Sequence, residues 1–170
     1  GLIYVGGGTL TLEGGSISPE GHSNNHGIVI GTDRTTENNY NYKDPNSAGG
    51  TFNMTGGSIT GNGSPDEDGG GVYVHKGIVN IKGGSLEGNT GNNGGCIYAC
   101  AGTTINISGG IISGNKSEKY DSRGAFFGEG SGGGGIFTRG SMVLSGGKIS
   151  GNTAKGGGGG IYVDTDFKKY

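Results

Sequence analysis

The sequence predicts an all-β protein: a right-handed parallel β-helix with three short strands per coil, about five to six coils and two long loop insertions. Three observations predict it. A Gly-Gly motif recurs along the chain, two families of short apolar strands recur between its copies, and the apolar residues keep fixed offsets throughout.

The motif reads GGSITGN at 56–62, GGSLEGN at 83–89, GGIISGN at 109–115 and GGKISGN at 146–152, with a weaker first copy, GGSISPE, from Gly14. The starting glycines are 42, 27, 26 and 37 residues apart. Self-similarity at such a period marks stacked repeats, each covering its apolar side with the next.

One strand family comprises Ile3-Tyr4-Val5, Ile28-Val29-Ile30, Val72-Tyr73-Val74, Ile97-Tyr98-Ala99, Ile136-Phe137-Thr138 and Ile161-Tyr162-Val163. The other comprises Leu10-Thr11-Leu12, Phe52-Asn53-Met54, Val79-Asn80-Ile81, Ile105-Asn106-Ile107 and Met142-Val143-Leu144, each ending two residues before a Gly-Gly. Both alternate with period two, the signature of half-buried strands. The motif's own Ile17, Ile59, Leu86, Ile112 and Ile149 supply the third strand. Stacked at the ~4.8 Å spacing of neighbouring strands, these residues form continuous aliphatic columns. Right-handedness follows from the strong preference of parallel crossovers.

The remaining segments are excursions: long ones at 31–50 and 116–131, shorter ones at 19–26 and 63–68. Insertions of this kind sit outside the stack and often carry recognition. The chain reads as a single domain over 1–170, and its opening mid-pattern at Gly1-Leu2-Ile3 is expected of a fragment of a longer chain.

Composition narrows the function classes. The chain holds 45 Gly among 170 residues, and its 29% hydrophobic content suits a narrow column better than a globular core. Twelve basic and fourteen acidic residues leave a net charge of −2 with no basic patch, which argues against nucleic acid as partner. No apolar run approaches the ~20 residues of a membrane span.

The motif ends in Asn62, Asn89, Asn115 and Asn152, with Glu20 at that position in the first copy. Amides stacked at a turn bond along the stack, so the column reads as a structural ladder, the alternative being a polar ligand groove. Asn53, Asn62, Asn106 and Asn115 also begin Asn-x-Ser/Thr sequences, but Asn is abundant here.

Together, Gly70-Gly71-Val72, Gly134-Gly135-Ile136 and Gly159-Gly160-Ile161 alternate with Ile59-x-x-Asn62, Leu86-x-x-Asn89, Ile112-x-x-Asn115 and Ile149-x-x-Asn152. This pattern resembles the repeats of bacterial polymorphic outer-membrane proteins and related β-helical surface adhesins. That family usually carries Phe where this chain has Ile or Leu. The resemblance implies a secreted or cell-surface protein, non-enzymatic, that binds a glycan or protein on a host or neighbouring cell, or copies of itself.

The competing expectation is a carbohydrate-active β-helix enzyme, a lyase or glycosidase. Glycoside hydrolysis needs two carboxylates about 5–10 Å apart across one sugar. The candidates are Asp66-Glu67-Asp68, Asp121 with Arg123, and Asp164 with Asp166, and none recurs at one offset in neighbouring coils. Asp66, Glu67 and Asp68 are also the only candidate Ca²⁺ ligands, in a loop read more simply as a solvated turn; no cofactor is otherwise implied. Asp164 and Asp166 read as charges on an edge. His22, His26 and His75 read as exposed polar residues. Cys96 and Cys100 flank an extended strand that sets them too far apart for a disulfide, and they read as largely buried thiols.

The middle residues of the first strand family point outward, giving a stripe of Tyr4, Tyr73, Tyr98, Phe137 and Tyr162 interrupted by Val29. Covered by the insertions it is part of the scaffold; exposed, it offers stacking platforms for sugars or a seam for self-association. Thr11, Asn53, Asn80, Asn106 and Val143 form an outward row on the second family, suited to solvent. The first and last coils carry no obvious cap, so either flanking sequence supplies one or the units stack end to end into a fibre.

Overall fold

A Cβ at the first glycine of the Gly-Gly motif has nowhere to go. At Gly56, Gly83, Gly109 and Gly146 it would collide with the carbonyl oxygens of Glu13, Thr55, Lys82 and Ser108, one repeat earlier. Gly14, in the first repeat, meets nothing there. The second glycine turns the corner in the left-handed region, with φ of 75° at Gly57, 82° at Gly84, 81° at Gly110 and 83° at Gly147. One glycine thus allows backbone to approach backbone, and its neighbour allows the turn.

The computed structural model describes residues 2–19, 26–31, 49–119 and 132–164. Among them there are 17 strands, numbered in chain order, and no helix. The 6-stranded sheet runs β1 (Ile3–Val5), β4 (Ile28–Ile30), β7 (Val72–Val74), β11 (Ile97–Ala99), β14 (Ile136–Thr138), β17 (Ile161–Val163). Every pair in it is parallel, and Ile3, Ile28, Val72, Ile97, Ile136 and Ile161 fall directly opposite one another.

An 8-stranded sheet holds the other two strand families together. One arm is β2 (Thr9–Leu12), β5 (Gly50–Met54) and β8 (Gly77–Ile81); the other is β3 (Ser16–Ile17), β6 (Ser58–Thr60) and β9 (Ser85–Glu87). Strands β12 (Thr104–Ser113) and β15 (Ser141–Ser150) run through both arms, bent at the motif glycines by register shifts. Within the arms Leu10, Phe52, Val79, Ile105 and Met142 align, as do Ile17, Ile59, Leu86, Ile112 and Ile149.

The expected three strands per repeat miss a fourth. β10 (Thr90–Gly91), β13 (Lys116–Ser117) and β16 (Thr153–Ala154) form a further parallel sheet directly after the motif's Asn. Two residues carry too little periodicity to register as a strand. The same finding corrects the insertion expected at 116–131: Lys116 and Ser117 belong to β13, and the Glu118 and Lys119 amides still donate to Gly91 and Asn92. The insertion expected at 31–50 is shorter too, since the Gly31 amide donates to Val5 and Gly50 opens β5. The bulk of both insertions, with Glu20, His22, Asp121, Arg123 and Asp166, lies outside the described residues.

The three sheets enclose one aliphatic core, in which Ile28, Ile30, Phe52, Met54, Ile59, Val72, Ile97 and Ile105 are wholly buried. The columns open towards their ends, where Leu144 is 50% and Val163 64% exposed.

Candidate functional site

Outward residues in register are brought to the strand spacing of ~4.8 Å, so flat side chains there must stack. Tyr73, Tyr98, Phe137 and Tyr162 do so, with centroids 5.4, 5.2 and 5.3 Å apart and planes within 9°, 5° and 2° of parallel. His26 adds a ring 5.2 Å from Tyr73. Slipped stacks of this kind are worth about 0.5–1.5 kcal/mol per pair beyond area burial.

This arrangement restricts what the predicted stripe can bind. The ring faces in its middle are occupied by one another, and Phe137 is wholly buried and Tyr98 nearly so. Tyr4, beyond the Val29 interruption, is 60% exposed and is the open aromatic of the five. Burial, and after it the neighbouring Cys100 thiol, pushes the Tyr98 hydroxyl up to about 12, and the same causes raise Tyr73.

His26, expected to be exposed, sits against this stack. Its Nδ1 lies 2.9 Å from the Gly69 carbonyl and its Nε2 3.7 Å from Glu67. Sequence spacing hides this because His26 and Gly69 are 43 residues apart.

Beside the stack runs an outer column that residue types do not reveal. The amides of His75, Cys100, Arg139 and Asp164 donate to Ile30, Val74, Ala99 and Thr138, carrying the parallel register one residue past each strand. Cys100 Sγ lies 3.6 Å from the Tyr73 hydroxyl and 4.0 Å from His75 Nδ1. Arg139 Nε donates to Asp164 Oδ2 at 3.2 Å, and its guanidinium lies 5.6 Å from the Phe137 centroid. Burial opposes the Arg139 charge, but Tyr98 and Asp164 outweigh it and raise the pKa. Asp164, expected as an edge charge, is therefore a buried acceptor. The shared offset, one residue past each strand, was the signal available in the sequence.

The two thiols differ. Neither forms a disulfide; Cys96 is buried in the core, where desolvation drives its pKa up against a hydrogen bond from Asn89. Cys100 is half-buried, more open than expected.

The asparagine column forms a continuous ladder. Asn89 Oδ1 accepts the Asn62 amide at 3.0 Å and its Nδ2 at 3.1 Å; Asn115 Oδ1 and Asn152 Oδ1 repeat the pattern one and two repeats on. Each Nδ2 also donates to a motif-strand carbonyl of the preceding repeat, at Ile17, Ile59, Leu86 and Ile112. Asn62 Oδ1, at the start, is buried and finds no partner among the described residues. A second, outer ladder runs along the polar row of the second strand family: Asn106 donates to Asn80 and Asn80 to Asn53, both at 2.8 Å.

The acidic loop does not converge. Asp68 Oδ1 accepts the Asn93 amide at 2.9 Å and its Nδ2 at 3.0 Å, while Glu67 faces His26 and the Asp66 amide donates to Ser64. Among the described residues no three His, Cys, Asp or Glu gather as a metal-holding group. Comparison with family models, curated proteins and solved structures returns no match.

Proposed function

We propose that the chain is a right-handed parallel β-helix and that it works as a non-enzymatic extracellular or cell-surface module, an adhesin-like stalk or fibre subunit. The observation that carries this reading is the register itself: equivalent residues of successive repeats pair in parallel in all three sheets. A stack of this kind presents an extended exterior, and it serves best where a surface must be displayed.

Self-association is the binding mode the side chains favour. Among the described residues β15 pairs with β12 alone, and its Val143 and Leu144 are each at least half exposed. An apolar strand edge of this length recruits further strands. The stacked rings favour glycan binding less, since Tyr4 is the most open of them.

Sedimentation and negative-stain imaging of the chain and of Leu144→Lys test the proposal, with glycan binding and product analysis in parallel. Concentration-dependent assembly that Leu144→Lys abolishes supports it. A monomer at every concentration with no glycan binding sinks it, and release of cleaved saccharide establishes the enzyme instead.

A further inference from the structure

Cys100 is the one chemically reactive side chain among the described residues whose neighbours are an imidazole, a hydroxyl and, one repeat along the same column, a cation. Its sulfur is 4.0 Å from His75 Nδ1 and 3.6 Å from the Tyr73 hydroxyl. Arg139 takes the next place in the column, oriented by Asp164. These positions are rigid, because β7, β11 and β14 are paired in register immediately before them. Tyr73 is further locked between the His26 and Tyr98 rings. A cysteine beside an imidazole and positive charge is the arrangement that makes a thiol nucleophilic.

We propose that Cys100 and His75 form a nucleophile–base pair, and that Cys100 is a thiol–disulfide exchange site for low-molecular-weight disulfides. In the exchange His75 Nδ1 takes the thiol proton and Sγ attacks one sulfur of the incoming disulfide. The new S–S bond forms as the old one breaks, its electron pair leaving on the departing sulfur. That thiolate recovers the proton from His75, so the products are a mixed disulfide on Cys100 and one free small thiol. The Tyr73 hydroxyl holds Sγ in place, and the rims of the Tyr73 and Tyr98 rings suit a polarisable disulfide. Cys96, wholly buried one strand-length away, is an internal control. The proposal is independent of the surface-module reading.

The test treats the native chain at neutral pH with dithionitrobenzoate, an aromatic disulfide, following released thiol and mapping the modified peptide by mass. One equivalent is expected, on Cys100, and Cys96→Ser leaves its rate unchanged. His75→Gln, checked for an unchanged far-UV spectrum, slows the reaction at least about tenfold, as removal of a general base requires. The rate–pH profile of the parent also lies at lower pH than that of His75→Gln, which a purely structural role of His75 would not give. Modification at Cys96, a His75→Gln chain as fast as the parent, or identical rate–pH profiles for the two overturns the proposal.

Discussion

Asn89→Ala removes the middle rung of the inner ladder. Asn89 is wholly buried, and its side chain accepts the Asn62 amide at 3.0 Å and donates to the Ile59 carbonyl at 3.0 Å. The other ends of the rung keep partners: Asn115 Oδ1 retains the Asn89 amide, and Asn62 Nδ2 retains the Ile17 and Thr60 carbonyls. The buried Asn62 amide thus loses its acceptor, while the Ile59 carbonyl stays within the β6–β9 pairing, for an expected loss of about 1–3 kcal/mol. Against a typical total of about 5–15 kcal/mol that is a large fraction of the fold's stability. Asn152→Ala is the comparison, because Asn152 is half-buried and water can replace what it contributes; its expected cost is about 1 kcal/mol. Urea unfolding followed by far-UV circular dichroism, at equal m values, measures both. The reasoning fails if Asn89→Ala stays within about 1 kcal/mol of the parent, or if the two variants lose equally.

Two further outcomes follow from the corners and from the ring stack. Gly63→Ala should prevent folding or destabilise severely, since φ is +89° and the added Cβ would collide with the Thr90 carbonyl and Gly70 Cα. Gly88→Ala, with φ of +63° and open space around it, should cost only the left-handed strain of about 1–2 kcal/mol; equal melting temperatures for the two would refute the steric account. On raising pH, Tyr73 and Tyr98 keep their protons in the folded state above the ordinary phenol value of about 10, while the unfolded chain loses them. The unfolded state then binds fewer protons, so their contribution to stability is complete below about pH 10 and is lost as pH climbs from there through about 12. Tyrosinate absorbance should show these two rings ionising together with unfolding, and gradual ionisation at constant circular dichroism would contradict it.

Particular residues show where sequence reasoning reached and where it stopped. The paired register of Ile59 with Leu86, and of Leu86 with Ile112, follows from offsets alone, because a strand's alternation assigns each residue to a face and the repeat assigns it a level. The asparagine ladder was legible for the same reason: one residue type recurs at one offset. The column of His75, Cys100, Arg139 and Asp164 was not, since four unlike residues share a position without resembling a repeat. The fourth strand was too short to have a period, as β10 and β16 show.

By itself the chain's sequence determined the period, the inward columns and the glycines at which the backbone turns, all of which depend on neighbours close along the chain. Only the tertiary structure decided which outward groups remain open. Phe137 and Tyr4 share an offset in their strands, yet one is wholly buried and the other 60% exposed. The physical reason is that an outward side chain is covered by atoms from other repeats, brought near by stacking across tens of residues, and no local pattern carries their positions.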